Sequence, residues 1–131
     1  MVFRTLAVLS VLLCVQLCLS QNRQNILDVY RKEVFQYGVM RNQRPVIAYF
    51  TKSTCVPCRN VRNRLEDFAR KNSNVMDVAI IDVEKLPELK EELGVRIIPT
   101  TRAYYKGNVE GEIKGPSWNG IEKLANELIN G

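Results

Sequence analysis

The chain predicts an α/β domain built on a mixed four-stranded sheet with helices on both faces. Short apolar runs fit for buried strands alternate with amphipathic segments, which predicts a βαβ unit. A Gly107-Asn108 dipeptide between two further strand-like runs predicts an antiparallel hairpin near the C-terminus. The resulting order is helix, strand, helix, strand, helix, strand, strand, helix.

Asn25 to about Arg41 places Ile26, Leu27, Tyr30, Val34, Tyr37 and Met40 at steps of three and four, the spacing of a helix with one buried face. Pro45 blocks its continuation, and Val46 to Thr51 is apolar and short enough for a buried strand. From Cys58 onward Val61, Leu65, Phe68 and Ala69 mark one face of a second helix ending near Asn72, and Val75 to Val83 reads as the next strand. Pro87 suits the first turn of a short third helix whose apolar face is Leu86, Leu89 and Leu93, with Gly94 placed to cap its end. Thr100 to Tyr105 and Val109 to Lys114 form the hairpin, which Gly115-Pro116 ends. Ser117 is placed to cap a last helix with Ile121, Leu124, Ala125, Leu128 and Ile129 facing inward.

The first twenty residues read as a secretory signal. Arg4 gives a short charged start, Thr5 to Leu19 is almost wholly apolar, and Cys18-Leu19-Ser20 puts small residues where a signal peptidase cuts. That run of about 15 residues is short of the roughly 20 a spanning helix needs. The expected division is therefore 1–20 signal peptide and 21–131 domain, with no membrane association after cleavage after Ser20. The Ile129-Asn130-Gly131 terminus is no endoplasmic-reticulum retention signal, so the expected location is secreted, with the lumen of the secretory pathway as the other setting.

Removing residues 1–20 takes away Arg4, Cys14 and Cys18, leaving 18 basic against 14 acidic residues and only Cys55 and Cys58 as cysteines. The charge is spread along the chain with no aromatic-rich binding motif, which argues against a nucleic-acid partner. About 110 residues bury an adequate core in one domain without several disulfide staples.

Cys55-Val56-Pro57-Cys58 follows the first strand and opens a helix. Cysteines at i and i+3 on a first helical turn are close enough to form a small disulfide that opens with little backbone movement. Cys55, nearest the helix start, meets unpaired N–H groups and the positive dipole end, which stabilise a thiolate. Cys58, one turn deeper, is placed to attack a mixed disulfide and release the partner. Cys55 is thus the candidate nucleophile and Cys58 the resolving thiol. Three plainer readings stand beside this one. Structural zinc needs four ligands, against two cysteines and no histidine. A purely structural disulfide closing so small a ring removes little unfolded-state entropy. Inert buried thiols fit poorly with Pro57 and the polar neighbours Lys52, Ser53, Thr54 and Arg59.

The CxxC, Ile81-Asp82-Val83 ending the next strand, Gly94-Val95-Arg96-Ile97-Ile98-Pro99-Thr100, Lys106-Gly107 in a turn and Gly115 together resemble the thioredoxin-fold family over residues 26 to 131. The resemblance implies that Pro99 is cis and packs beside a Cys55–Cys58 disulfide. It also implies that Pro99, Ile98, Val56 and Pro57 form the surface that holds an extended substrate peptide. The implied activity is thiol–disulfide exchange with protein substrates, by a monomer without cofactor or metal, recycled by an external reductant or oxidant. Its direction depends on the reduction potential of the pair against that of its compartment.

Several family positions are filled differently. Thr54 stands for the usual tryptophan, and Val-Pro for Gly-Pro between the cysteines. Tyr49 replaces a buried aspartate and Ile80 its lysine partner, so neither offers the resolving thiol a titrating group, which predicts slower exchange. Asn63 replaces a helix proline, so that helix should lack the associated kink. These departures favour a rival reading, a secreted thioredoxin-like binding module with a quiescent disulfide, which the intact CxxC and Pro99 oppose. Lys52, Arg59 and Arg96 are candidates to rim the site and favour acidic substrates. Arg102 is expected to meet solvent or lay its stem along a helix, with contact to an acidic partner as the other reading. Trp118 is expected to pack in the core or at its edge.

Overall fold

The structure is a computed structural model that describes residues 8–12, 14 and 24–131. The expected signal segment 1–20 lies outside the described residues apart from 8–12 and 14, and among the described residues no helix is long and apolar enough to cross a membrane.

A five-stranded sheet forms the centre, one strand more than the sequence predicts, in the order β1-β3-β2-β4-β5. The extra strand is β1 (Ile26–Val29), which occupies the start of the segment read as a leading helix. It pairs parallel with β3 (Asp77–Asp82), Ile26 opposite Val78 and Val29 opposite Ile81. Only a short helix α1 (Lys32–Phe35) follows, running into a π-helical turn over Gln36–Met40. The buried side chains there are Val34, Phe35 and Val39, whereas Tyr30 and Tyr37 are 62% and 58% exposed. The helical spacing was produced by two elements in succession. Gly38 lets the turn lie against β1, since a Cβ there would collide with the Leu27 side chain.

β2 (Val46–Thr51) is buried at every position because it lies mid-sheet, parallel to β3 and antiparallel to β4 (Thr100–Tyr105). α2 (Val56–Lys71) runs unbroken through Asn63 to a C-cap at Asn72. β3 begins two residues later than predicted and leaves Val75 40% exposed. α3 (Pro87–Glu92) starts with its proline, and Gly94, at φ 67°, ends it by donating to the Glu91 carbonyl.

The hairpin to β5 (Asn108–Lys114) turns one residue earlier than Gly107-Asn108 suggests. Lys106 and Gly107 are the central residues, both with positive φ, the twist that a two-residue connection requires. In α4 (Trp118–Asn130) the Ser117 hydroxyl accepts from the Gly120 N–H at 3.3 Å, as a cap residue should.

Two apolar layers sandwich the sheet. Val29, Val34, Phe35, Val39, Ala48, Phe50, Leu89 and Tyr104 fill the side covered by α1 and α3. Ile47, Tyr49, Val61, Leu65, Ala69, Ile80, Ile121 and Ala125 fill the side covered by α2 and α4. The parallel strands β1, β3 and β2 all end at one edge of this sandwich, and the cysteine loop leaves from there.

Candidate functional site

Cys55 is the N-cap of α2, in extended conformation, and Pro57 lies in the first turn, where its missing N–H costs nothing. The loop from β2 is closed by the Cys55 N–H donating to the Lys52 carbonyl at 3.2 Å. Cys55 and Cys58 form a disulfide with S–S 2.04 Å and Cα–Cα 5.3 Å. The Cys58 N–H points at the Cys55 sulfur at 3.3 Å, so an orphan donor of the helix start is aimed at the outer sulfur. Cys58 is only 1% exposed, whereas Cys55 is half-buried and Val56 beside it is 66% exposed.

Pro99 follows a cis Ile98–Pro99 bond and is buried. Because Phe50 pairs with Thr100, Pro99 sits next to the end of β2 from which the cysteine loop departs. Its carbonyl accepts from the Gly115 N–H at 2.8 Å, which ties it to the end of β5. Ile98 is half-buried and Ile97 48% exposed, so an apolar ledge precedes β4 at that edge.

Tyr49 makes a contact that sequence reading does not foresee, and Arg102 sits otherwise than that reading suggests. Tyr49 is fully buried in the layer under α2, and its hydroxyl donates to the Cys58 carbonyl at 2.9 Å. The position therefore does carry a polar hydrogen beneath the disulfide, directed at a peptide group. Burial holds the phenol well above its ordinary pKa, the Thr51 hydroxyl and Arg62 pulling weakly the other way. Ile80, its partner in β3, is 3% exposed and adds no charge. Arg102 is neither solvent-facing nor free for an outside acid. Its side chain is 11% exposed, bonded to Glu112 at 2.6 Å and laid over the Phe50 ring at 5.7 Å. Burial alone would lower its pKa, but the Glu112 carboxylate and Tyr104 outweigh burial and raise it.

Glu84 is a site-edge residue that no motif or spacing in the chain singles out. The Thr54 hydroxyl donates to its carboxylate at 3.1 Å, and its own N–H donates to Asp82 at 2.9 Å. Only the parallel pairing of β2 with β3, Thr51 opposite Asp82, brings it beside the loop. The expected basic rim is correspondingly mixed. Arg59 is tied to the Ser53 carbonyl at 3.2 Å, Lys52 is half-buried, and Arg96 is exposed on the segment leading to Pro99. Trp118 packs edge-on against Phe68, ring centroids 6.4 Å apart, at the border of the core.

A disulfide on the first turn of a helix, at the edge where the parallel strands end and beside a cis-proline, defines a site for thiol–disulfide exchange. The thioredoxin family model matches residues 26–129. The thioredoxins of Sus scrofa and Homo sapiens are each 29% identical over 105 residues, covering 79% of this chain and 99% of theirs. The bifunctional thioredoxin reductase/thioredoxin of Mycobacterium leprae is 34% identical over 81 residues, 62% of this chain and 18% of that protein. Among solved structures, the thioredoxin Mala s 13 of Malassezia sympodialis superposes with a TM-score of 0.74 at 17% identity, covering 82% of this chain and 93% of its own, a likeness of fold. The chain belongs to the thioredoxin family and is a thioredoxin-like thiol–disulfide oxidoreductase.

Proposed function

We propose that the protein is a secreted exchanger of disulfides with protein substrates, in which Cys55 attacks and Cys58 resolves. The observation that carries this is the unequal burial of the two sulfur-bearing residues, Cys55 half-buried at the helix cap and Cys58 1% exposed behind it. The Cys55 thiolate attacks one sulfur of a substrate disulfide, forms a mixed disulfide and releases the other substrate sulfur as a thiolate. Cys58 then loses its proton to solvent and attacks the Cys55 sulfur. The Cys55–Cys58 bond forms, the second substrate thiolate leaves, and the substrate has gained two electrons. An external thiol or reductase restores the dithiol, or an oxidant drives the reverse direction.

Val56, Pro57, Ile98 and Pro99 supply the contact surface for an extended peptide. In support, the Ile98 backbone makes no hydrogen bond to another backbone group among the described residues, which leaves it open to β-type pairing. A cleft of about 590 Å³ lined by Pro45, Tyr105, Leu124 and Leu128 lies at the far end of the sheet, away from the cysteines, which fits a cysteine site that reads a peptide surface rather than enclosing a small molecule. Residues 1–20 are the cleaved signal, and the exported monomer begins at Gln21. N-terminal sequencing of protein from the medium of secreting cells should give Gln21, and retention inside the cells with residues 1–20 attached would overturn export.

The chemical test is insulin reduction by dithiothreitol. Wild type should accelerate it, Cys55→Ser should not, and Cys58→Ser should accumulate mixed disulfides on Cys55. Equal turnover by wild type and Cys55→Ser would remove the exchange reading. It would leave a binding module, a reading favoured by one observation, the anchoring of Thr54 to Glu84 at the edge of the cysteine loop.

A further inference from the structure

We propose that Tyr49 is a positioning residue for the second half of the exchange, holding the Cys58 peptide so that its sulfur can reach Cys55 when a mixed disulfide is to be resolved. The proposal rests on the exchange reading above and adds a residue to it. Tyr49 stands in the middle of β2, fully buried among Ile47, Val61, Leu65, Val78, Ile80 and Ala103, a set that asks for an apolar ring and nothing more. Phenylalanine would satisfy that packing. The hydroxyl instead donates to the carbonyl of Cys58 at 2.9 Å, across the gap between sheet and helix.

That carbonyl has little structural need of the bond. Within a regular helix over Val56–Lys71 it already faces the Arg62 N–H, and its second lone pair is what Tyr49 takes. The first turn of a helix is also its least secured part, because its N–H groups lack helical partners. While the disulfide is closed, the Cys55–Cys58 bond itself restrains this turn. When Cys55 is joined to a substrate, that restraint is gone. The Tyr49 bond is then the side-chain tie from the sheet that still fixes the Cys58 backbone.

The phenol takes no proton in this step. It is already protonated, its burial keeps it so, and the proton of Cys58 leaves to solvent as the thiolate attacks. The contribution is geometric: in-line approach of one sulfur to another requires the attacking residue to be held in place. Cys55 attack on the outside disulfide does not use the Cys58 peptide, so the first half-reaction should be insensitive to Tyr49.

Equimolar 5,5′-dithiobis(2-nitrobenzoate) and fully reduced protein separate the two steps. Attack by Cys55 releases one nitrothiobenzoate in a concentration-dependent phase, and resolution by Cys58 releases the second in a concentration-independent phase. Tyr49→Phe should slow the second phase about fivefold, equivalent to the roughly 1 kcal/mol of one neutral hydrogen bond. The first phase should stay within twofold. A ratio of the two rate constants unchanged from wild type overturns the proposal, whether both phases are normal or both are slowed alike by loosened packing. Thermal unfolding of the oxidised variant, which should remain cooperative, reads the folding of Tyr49→Phe separately. A wild type that releases no nitrothiobenzoate in the first phase sinks the exchange reading itself. A normal wild type with an unchanged ratio in the variant sinks only the role of Tyr49.

Discussion

Asn25→Ala should destabilise the domain by about 2 kcal/mol while leaving exchange at 25 °C intact. Asn25 is 7% exposed, and its side-chain amide donates to the carbonyls of Ala69 at 2.7 Å and Met76 at 3.1 Å. It thereby joins the start of β1 to the last turn of α2 and the approach to β3, while its own carbonyl accepts from the Val78 N–H. Neither acceptor is stranded by the mutation, because Ala69 also accepts from the Asn72 N–H and Met76 from Arg44. The loss is then two net hydrogen bonds at about 1 kcal/mol each, with no orphaned partner to add. For a domain of this size that corresponds to a fall in melting temperature of roughly 10 °C. Urea unfolding followed by circular dichroism measures the loss, and insulin reduction checks that the site is untouched, since Asn25 lies at the opposite end of the sheet from the disulfide. Asn25→Asp is the sharper arm. It keeps the shape, removes both donors and faces a carboxylate toward two carbonyls, so it should cost more than alanine. Wild-type stability in Asn25→Asp would refute the assignment of Asn25 as the donor that secures β1.

Three further outcomes follow from buried polar groups. The Thr101 hydroxyl, 0% exposed and without a hydrogen-bond partner among the described residues, should make Thr101→Val neutral or stabilising by up to about 1 kcal/mol in the same unfolding assay. Tyr49 is raised above its ordinary phenol pKa in the folded state, so the unfolded chain deprotonates first, and this contribution is complete below about pH 10 and is lost as pH rises beyond it. Stability measured at pH 9 and pH 11 should therefore fall more in wild type than in Tyr49→Phe. Glu112→Ala should cost about 1–3 kcal/mol by leaving Arg102, 11% exposed over Phe50, without its carboxylate, and Glu112→Ala combined with Arg102→Met should recover part of that loss.

The cysteine site was legible because its chemistry is local. Two thiols three residues apart, a strand before them and a helix after, state their own geometry, and Cys55 is indeed the cap of α2. The caps at Gly94 and Ser117 were legible for the same reason, each being a conformational or hydrogen-bonding preference of one residue. β1 was not. Its four residues gain their stability from pairing with Val78 to Ile81, some fifty positions away, and their apolar spacing merges with that of α1 into a helical pattern. The exposed Tyr30 and Tyr37 completed the false period, since ring hydrophobicity alone does not distinguish a buried tyrosine from one on the surface. Glu84 beside Thr54 and Glu112 beside Arg102 share that origin, both being products of strand register. The sequence did mark Tyr49 as a departure, but the target of its hydroxyl depends on how α2 crosses β2.

Tyr49 and Ile80 should behave as one unit. They are direct partners in the β2–β3 register, 0% and 3% exposed on the same face. A carboxylate at position 49 alone would face Ile80 and the apolar layer with no cation in the register, so Tyr49→Asp should cost about 3–5 kcal/mol, the toll of an unpaired buried charge. A lysine at position 80 alone should be comparably harmful. Together the two charges would pair across adjacent strands, and the double variant should be more stable than the sum of its parts by about 1–3 kcal/mol. The volume lost in replacing tyrosine is common to Tyr49→Asp and the double variant, so it cancels from the coupling energy obtained by urea unfolding of all four proteins. Strict additivity would refute the view that these two positions share one electrostatic environment. Coupling of the expected size would mean that each neutral residue is tolerated because the other is neutral. The layer beneath the disulfide could then acquire a charge only through both positions changing together.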